Sequence, residues 1–89
     1  LPPGAIVAAS GKEFRAILRR VREVSGLSNG QIAIRSGIHR SQVSSLGSTR
    51  PRLPRKREQV AVYLVCCRLD PDQVSEILLL WDELHDKQA

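Results

Sequence analysis

Arg40, Ser41, Ser44 and Ser45 are the residues whose types and spacing could do chemistry together. At about 100° per residue they fall on one side of a helix from Arg40 to Leu46, and Val43 and Leu46 fall on the other. The chemistry available to them is hydrogen bonding. Each serine hydroxyl can give and take a hydrogen bond, and the arginine presents a planar fork of N–H donors. Such a row suits the major groove of DNA, which admits a helix and where every base pair displays its own donor and acceptor pattern. Other constellations fall short. Cys66 and Cys67 are adjacent and lack the C-x-x-C spacing of zinc or redox sites, so buried thiols in a reducing compartment are expected. His39 and His85 stand apart from each other and from any Cys pair, which gives no metal site. The acids gather near the end of the chain without a companion that would suggest a nucleophile, a base or a phosphate-cradling glycine loop. No enzyme and no cofactor is expected.

The elements that must position this row lie in LSNGQIAIRSGIHRSQVSSL, residues 27–46. Ser28 followed three residues later by Gln31 is a capping-box signature that starts a helix at about Asn29. Ile32 and Ala33 lie on its inner side, where a small residue such as Ala33 permits the close crossing of a second helix. Gly37 breaks the pattern at a residue that tolerates positive φ, Ile38 follows as an apolar plug, and the second helix begins at Arg40. Helix, glycine turn and helix with buried spokes and a polar outer face form the helix-turn-helix pattern, whose second helix reads DNA with its N-terminal side chains. An αα-hairpin in a helical bundle without a ligand would carry the same pattern.

Composition narrows the reading. A chain of 89 residues is one small all-α domain of four or five helices. One Phe, one Tyr and one Trp make a poor stacking platform for single strands or RNA bases. No apolar run approaches the ~18 residues needed to span a bilayer, and LPPGAIVAAS does not resemble a secretory leader. The chain holds no Met, so Leu1 is not expected to be the translated start. Charge is distributed unevenly. Residues 1–57 carry twelve Lys/Arg against Glu13 and Glu23, a balance of +10, and residues 58–89 carry two bases against seven acids, a balance of −5. A polyanion would meet the half that holds the helix-turn-helix and be repelled by the other.

The remaining segments read as support. Residues 1–9, with a Pro-Pro-Gly break, are expected to be a flexible arm before a domain over 10–89. Ser10 and Glu13 open a helix to about Val24, with a core stripe of Phe14, Ile17, Leu18, Val21 and Val24. Arg15, Arg19 and Arg22 share one flank, either along a phosphate backbone or in solvent. After Leu46 the loop GSTRPRLPRKR places Arg50, Arg52, Arg55, Lys56 and Arg57 within reach of phosphates beside the groove, with Pro54 suited to the first turn of the next helix. A localisation or heparin-type signal is the other reading of that run. A helix from about Arg55 to Leu69 carries Val60, Tyr63, Leu64 and Cys67 on one face and Val62, Val65 and Leu69 on another. The second stripe either packs inside the monomer or, with Leu79 of the last helix, meets a second copy. Asp70-Pro71-Asp72-Gln73 starts a last helix to about Asp86, with Val74, Ile77, Leu78, Trp81 and Leu84 inward.

GLSNGQIAIRSGIHRSQVSSLGSTRPRLP resembles the Cro/C1-type (XRE-like) helix-turn-helix domain: L-S-x-x-Q-I-A, then S-G-I, then R-S-x-V-S-x-L follow its motif nearly position for position. With the flanking helices the likeness covers about residues 10 to 86, and the ending is similar to actinobacterial members. The resemblance implies a five-helix Cro/C1-repressor-like domain of a bacterial transcription regulator, cytoplasmic and nucleoid-associated, binding double-stranded DNA as a homodimer without cofactor or metal. By it, Arg40, Ser41, Ser44 and Ser45 would face base edges, while Ser28, Asn29 and Gln31 would meet phosphate. Val62, Val65, Leu69 and Leu79 are the expected dimer contact. The chain departs from the family's E-x-G after the second motif helix, where it has Gly47, Ser48 and Thr49. A protein-interaction module that retains the fold but reads DNA weakly is the alternative, since three serines and one arginine offer a single bidentate donor.

Overall fold

Capping chemistry sets the ends of most elements in this computed structural model, which describes residues 1, 2 and 4–88. Five helices follow one another, and no strand occurs among the described residues: α1 (Gly11–Ser25), α2 (Asn29–Ser36), α3 (Arg40–Leu46), α4 (Arg57–Cys66) and α5 (Pro71–Gln88). The all-helical class expected from the sequence is therefore observed. Ser10 Oγ accepts from Glu13 N at 3.2 Å to start α1. The Glu13 carboxylate reaches one residue further back than a capping box requires and accepts from Ala9 N at 2.7 Å. Ser28 and Gln31 complete both halves of their box, Gln31 N donating to Ser28 Oγ at 3.1 Å and Ser28 N to Gln31 Oε1 at 2.8 Å. Gly37 ends α2 at φ +75°, a conformation that a Cβ would strain.

One core joins all five helices. Phe14, Leu18, Ile32, Val43, Val60, Tyr63, Leu64 and Ile77 are fully buried, and Leu46, Leu53, Trp81 and Leu84 close its edges. Burying each such side chain contributes roughly 1.5–3 kcal/mol, so the core rather than helix propensity holds short α2 and α3 in place. α2 packs on α3 and α4, α4 on α5, and α1 on both α3 and α4.

Several expectations are corrected. Val24 is 62% exposed because α1 stops one residue later, beyond the neighbours that cover Val21. α4 begins two residues after the expected Arg55 and ends three before Leu69. At its end Arg68 takes a left-handed turn, φ 56°, and the N–H of Leu69 returns to Leu64 O. Pro54 is buried in the loop before α4 instead of opening a helix. At the start of α5, Gln73 Nε2 donates to Leu1 O at 2.7 Å. Apart from these corrections, Leu1, Ile6 and Ala8 are partly buried against the core, and Pro3 is outside the described residues.

Candidate nucleic-acid interface

α3 is only seven residues long, so its placement depends on contacts at both ends. At the N-terminus, His39 is the cap: its Nδ1 accepts from Ser41 N at 3.2 Å and lies 2.8 Å from Ser41 Oγ. The sequence offered His39 no role, because the imidazole is a rarer cap than Ser, Thr, Asp or Asn. At the C-terminus, the carbonyls that no intrahelical N–H reaches are met by arginines from α1. Arg15 Nη1 donates to Ser45 O, and Arg19 Nη1 donates to Gly47 O at 3.2 Å. Two cations against the negative end of a helix dipole are favourable. Between the two ends Val43 and Leu46 are buried, and Arg40, Ser41, Gln42 and Ser44 are exposed.

The basic loop is fixed just as firmly. Arg15 Nε donates to Arg52 O at 2.6 Å, and Trp81 Nε1, from α5, donates to Pro54 O at 2.8 Å. Gly11 is the third fastener. A Cβ there would lie 2.3 Å from Leu53 N and 2.4 Å from the Arg52 carbonyl carbon, so only glycine lets the loop lie on the first turn of α1. Leu53 and Pro54 are thereby buried, which leaves Arg50, Arg52, Arg55 and Lys56 exposed beside α3. Ser41, Gln42, Ser45, Gln59 and the loop line one open groove of about 550 Å³.

Arg40, Ser41 and Ser44 are thus exposed on one surface of α3. Ser45 is half-buried, with its carbonyl engaged by Arg15 and by Ser48 Oγ at 2.7 Å. Ser28 and Gln31 are exposed but tied into the α2 cap, where the Gln31 amide nitrogen still has donors to offer. Asn29 beside them is half-buried. Arg57 differs from its loop neighbours. Its Nε and Nη2 hold the two carboxylate oxygens of Asp82 at 2.9 and 3.2 Å, which raises its own pKa through that hydrogen bond.

The flank of α1 is also settled. Arg15 is 6% exposed, Arg19 serves α3, and Arg22 Nη1 donates to Leu27 O at 3.3 Å. Neither a phosphate rail nor free solvent describes these residues. Desolvation, and then the nearby Arg50, lower the pKa of Arg15. Burial likewise pushes up the Tyr63 phenol, whose hydroxyl donates to Leu18 O at 3.2 Å, and the Cys67 thiol. Cys66 and Cys67 are both free thiols. Among the described residues no three His, Cys, Asp or Glu side chains gather as a metal ion would require, and no helix is long and apolar enough to cross a membrane.

The second apolar stripe is split. Leu69 packs partly against the core, whereas Val62, Val65 and Leu79 are 38%, 64% and 61% exposed. The monomer does not enclose the stripe. The residue missed altogether is Gln42: the helical period sets it off the centre of the polar face, yet it is exposed and hydrogen-bonded to Gln59, whose Nε2 donates to Gln42 Oε1 at 2.9 Å. No protein-family model, curated protein or solved structure matches this chain.

Proposed function

We propose that this chain binds double-stranded DNA in a sequence-dependent way, as the helix-turn-helix domain of a Cro/C1-type bacterial transcription regulator with α3 in the major groove. One observation carries the reading. A short helix anchored by Val43 and Leu46 presents Arg40, Ser41 and Ser44 to solvent, next to a fastened loop with Arg50, Arg52, Arg55 and Lys56 exposed. The helix supplies donors and acceptors for base edges, and the loop supplies cations for the flanking phosphates. The amide end of α2, with Asn29 and Gln31, extends the phosphate contact on the other side of the turn.

Binding of labelled duplexes drawn from a random pool, measured across a salt series, tests this. The expected outcome is a steep loss of affinity with salt and enrichment of one site. Failure to bind any duplex at low salt would remove the proposal. The second reading, a protein-docking domain, draws on exposed Val62, Val65 and Leu79. In a DNA-binding domain those residues would be the contact between two copies reading adjacent half-sites. Sedimentation at tens of micromolar, compared between wild type and Val65→Glu or Leu79→Glu, separates the cases: a wild-type dimer lost in folded variants supports the contact, and a wild-type monomer places it elsewhere.

A further inference from the structure

We infer that Cys66 and Cys67 together bind one soft monovalent cation of the copper(I) type, as a two-coordinate dithiolate site at the C-terminal end of α4. Adjacent residues inside a helix do not face each other, so spacing alone gives these thiols no common task. The pair falls, however, where the helix stops. Cys66 is the last residue of α4, Cys67 is its cap, and Arg68 turns left-handed at φ 56°. Both cysteines line one open recess of about 230 Å³, together with Ser25, Leu27, Arg35 and Arg68. Both are free thiols; Cys67 is buried and Cys66 is half-buried, open to an arriving ion.

Distances favour an ion over a disulfide. Neighbouring Cα atoms are about 3.8 Å apart, whereas a disulfide needs about 4.4 Å or more, so a direct bond between the two sulfurs would strain the chain. An ion between them relieves this: at about 2.3 Å per metal–sulfur bond, a linear pair keeps its sulfurs roughly 4.6 Å apart, which suits side chains that diverge. Donor count selects the ion. Among the described residues no further His, Cys, Asp or Glu joins the thiols, which leaves zinc short of its four ligands, while soft thiolates favour copper(I), a closed-shell ion that two of them satisfy. Charge selects it again. When each thiol gives its proton to solvent, two thiolates and one monovalent ion leave a single negative charge. Arg35 and Arg68 supply the counter-charge, since both are exposed on the recess and form no ion pair among the described residues. The recess is lined from the ends of α1, α2 and α4 and by no residue of α3 or the basic loop, so it is separate from the surface proposed to read DNA.

The test is anaerobic titration of the reduced chain with copper(I) against a chromogenic copper(I) chelator, with sedimentation and melting temperature measured on the same samples. Wild type should take one copper(I) per chain without a change of oligomeric state. Cys66→Ser, at a half-buried position, should keep the fold and bind about a hundredfold more weakly, because one of two ligands is gone. Cys67→Ala should lose as much; should its buried position unfold that variant, Cys66→Ser carries the test. Arg35→Gln and Arg68→Gly, the latter suited to the left-handed turn, should each weaken binding by about fivefold. Zinc at equal concentration should not displace the copper. A Cys66→Ser chain that keeps wild-type affinity, one ion shared between two chains, or zinc bound as tightly as copper(I) overturns the inference. Unchanged affinity in both arginine variants overturns the choice of a monovalent ion. None of these outcomes depends on whether the chain binds a duplex.

Discussion

Two sets of arginines meet at the C-terminal end of α3 and the loop that follows it, and they do different work. Arg15, Arg19 and Arg22 on α1 donate to the carbonyls of Arg52, Ser45, Gly47 and Leu27, while Arg50, Arg52 and Arg55 on the loop are exposed and form no ion pair among the described residues. The two sets have the same chemistry. What separates them is the supply of unpaired acceptors: α1 runs past the C-terminal carbonyls of α3 and the loop after it, whereas the loop side chains face outward. The first set holds the C-terminal end of α3 in place, and the second is left with its charge exposed. Arg57 lies between the two, exposed like the loop set but already paired with Asp82.

The largest effect that could break this contrast is on stability. Arg15→Met should lower unfolding free energy by about 3 kcal/mol in urea titrations, since two charge-assisted hydrogen bonds disappear and the Arg52 carbonyl loses its donor, while Ser45 O keeps Ser48. Unchanged stability with lost DNA binding would put Arg15 in the second set. Next in size, Arg40→Ala should cost ~1–3 kcal/mol on the preferred duplex, relax one base position and leave the melting temperature alone. Equal binding to every sequence before and after would show that α3 does not read through Arg40.

Loop substitutions sharpen the contrast at smaller amplitude. Arg50→Gln, Arg52→Gln or Arg55→Gln should each weaken all duplexes evenly and lower the salt slope by about 1. Arg57→Gln should lower the slope less, because Asp82 already neutralises it, and Asp82→Asn should raise affinity by releasing it. A change of sequence preference at constant slope would count against phosphate contact. The smallest effect concerns alkaline pH. Tyr63 and Cys67 are buried in their neutral forms with raised pKa values, so the unfolded chain releases their protons first. Stability should be full below the ordinary thiol value of about 8.5 and fall as pH rises past it and past the phenol's ordinary value of about 10. Tyr63→Phe should cost about 1 kcal/mol at neutral pH by losing the bond to Leu18 O, and should flatten the fall above pH ~10.

The sequence by itself determined the five helices. Helix starts are written in local chemistry, as with Ser10, Ser28 and Pro71, and core faces in a period of 3.6 residues, so neither needs knowledge of distant contacts. The same locality explains why Arg40, Ser41 and Ser44 could be named in advance, since their exposure follows from the burial of Val43 and Leu46 one helical face away. Tertiary structure decided whatever depends on partners far along the chain. Val24 lost its cover and Arg15 gained one. The loop acquired a shape from Gly11 and Trp81, which sit 42 and 27 residues from the atoms they touch. Gln42 met Gln59, 17 residues later, through a contact that no local pattern announces. Hydrogen bonds between polar side chains and distant carbonyls leave no periodic trace, because one donor and one acceptor suffice and either could have found water instead.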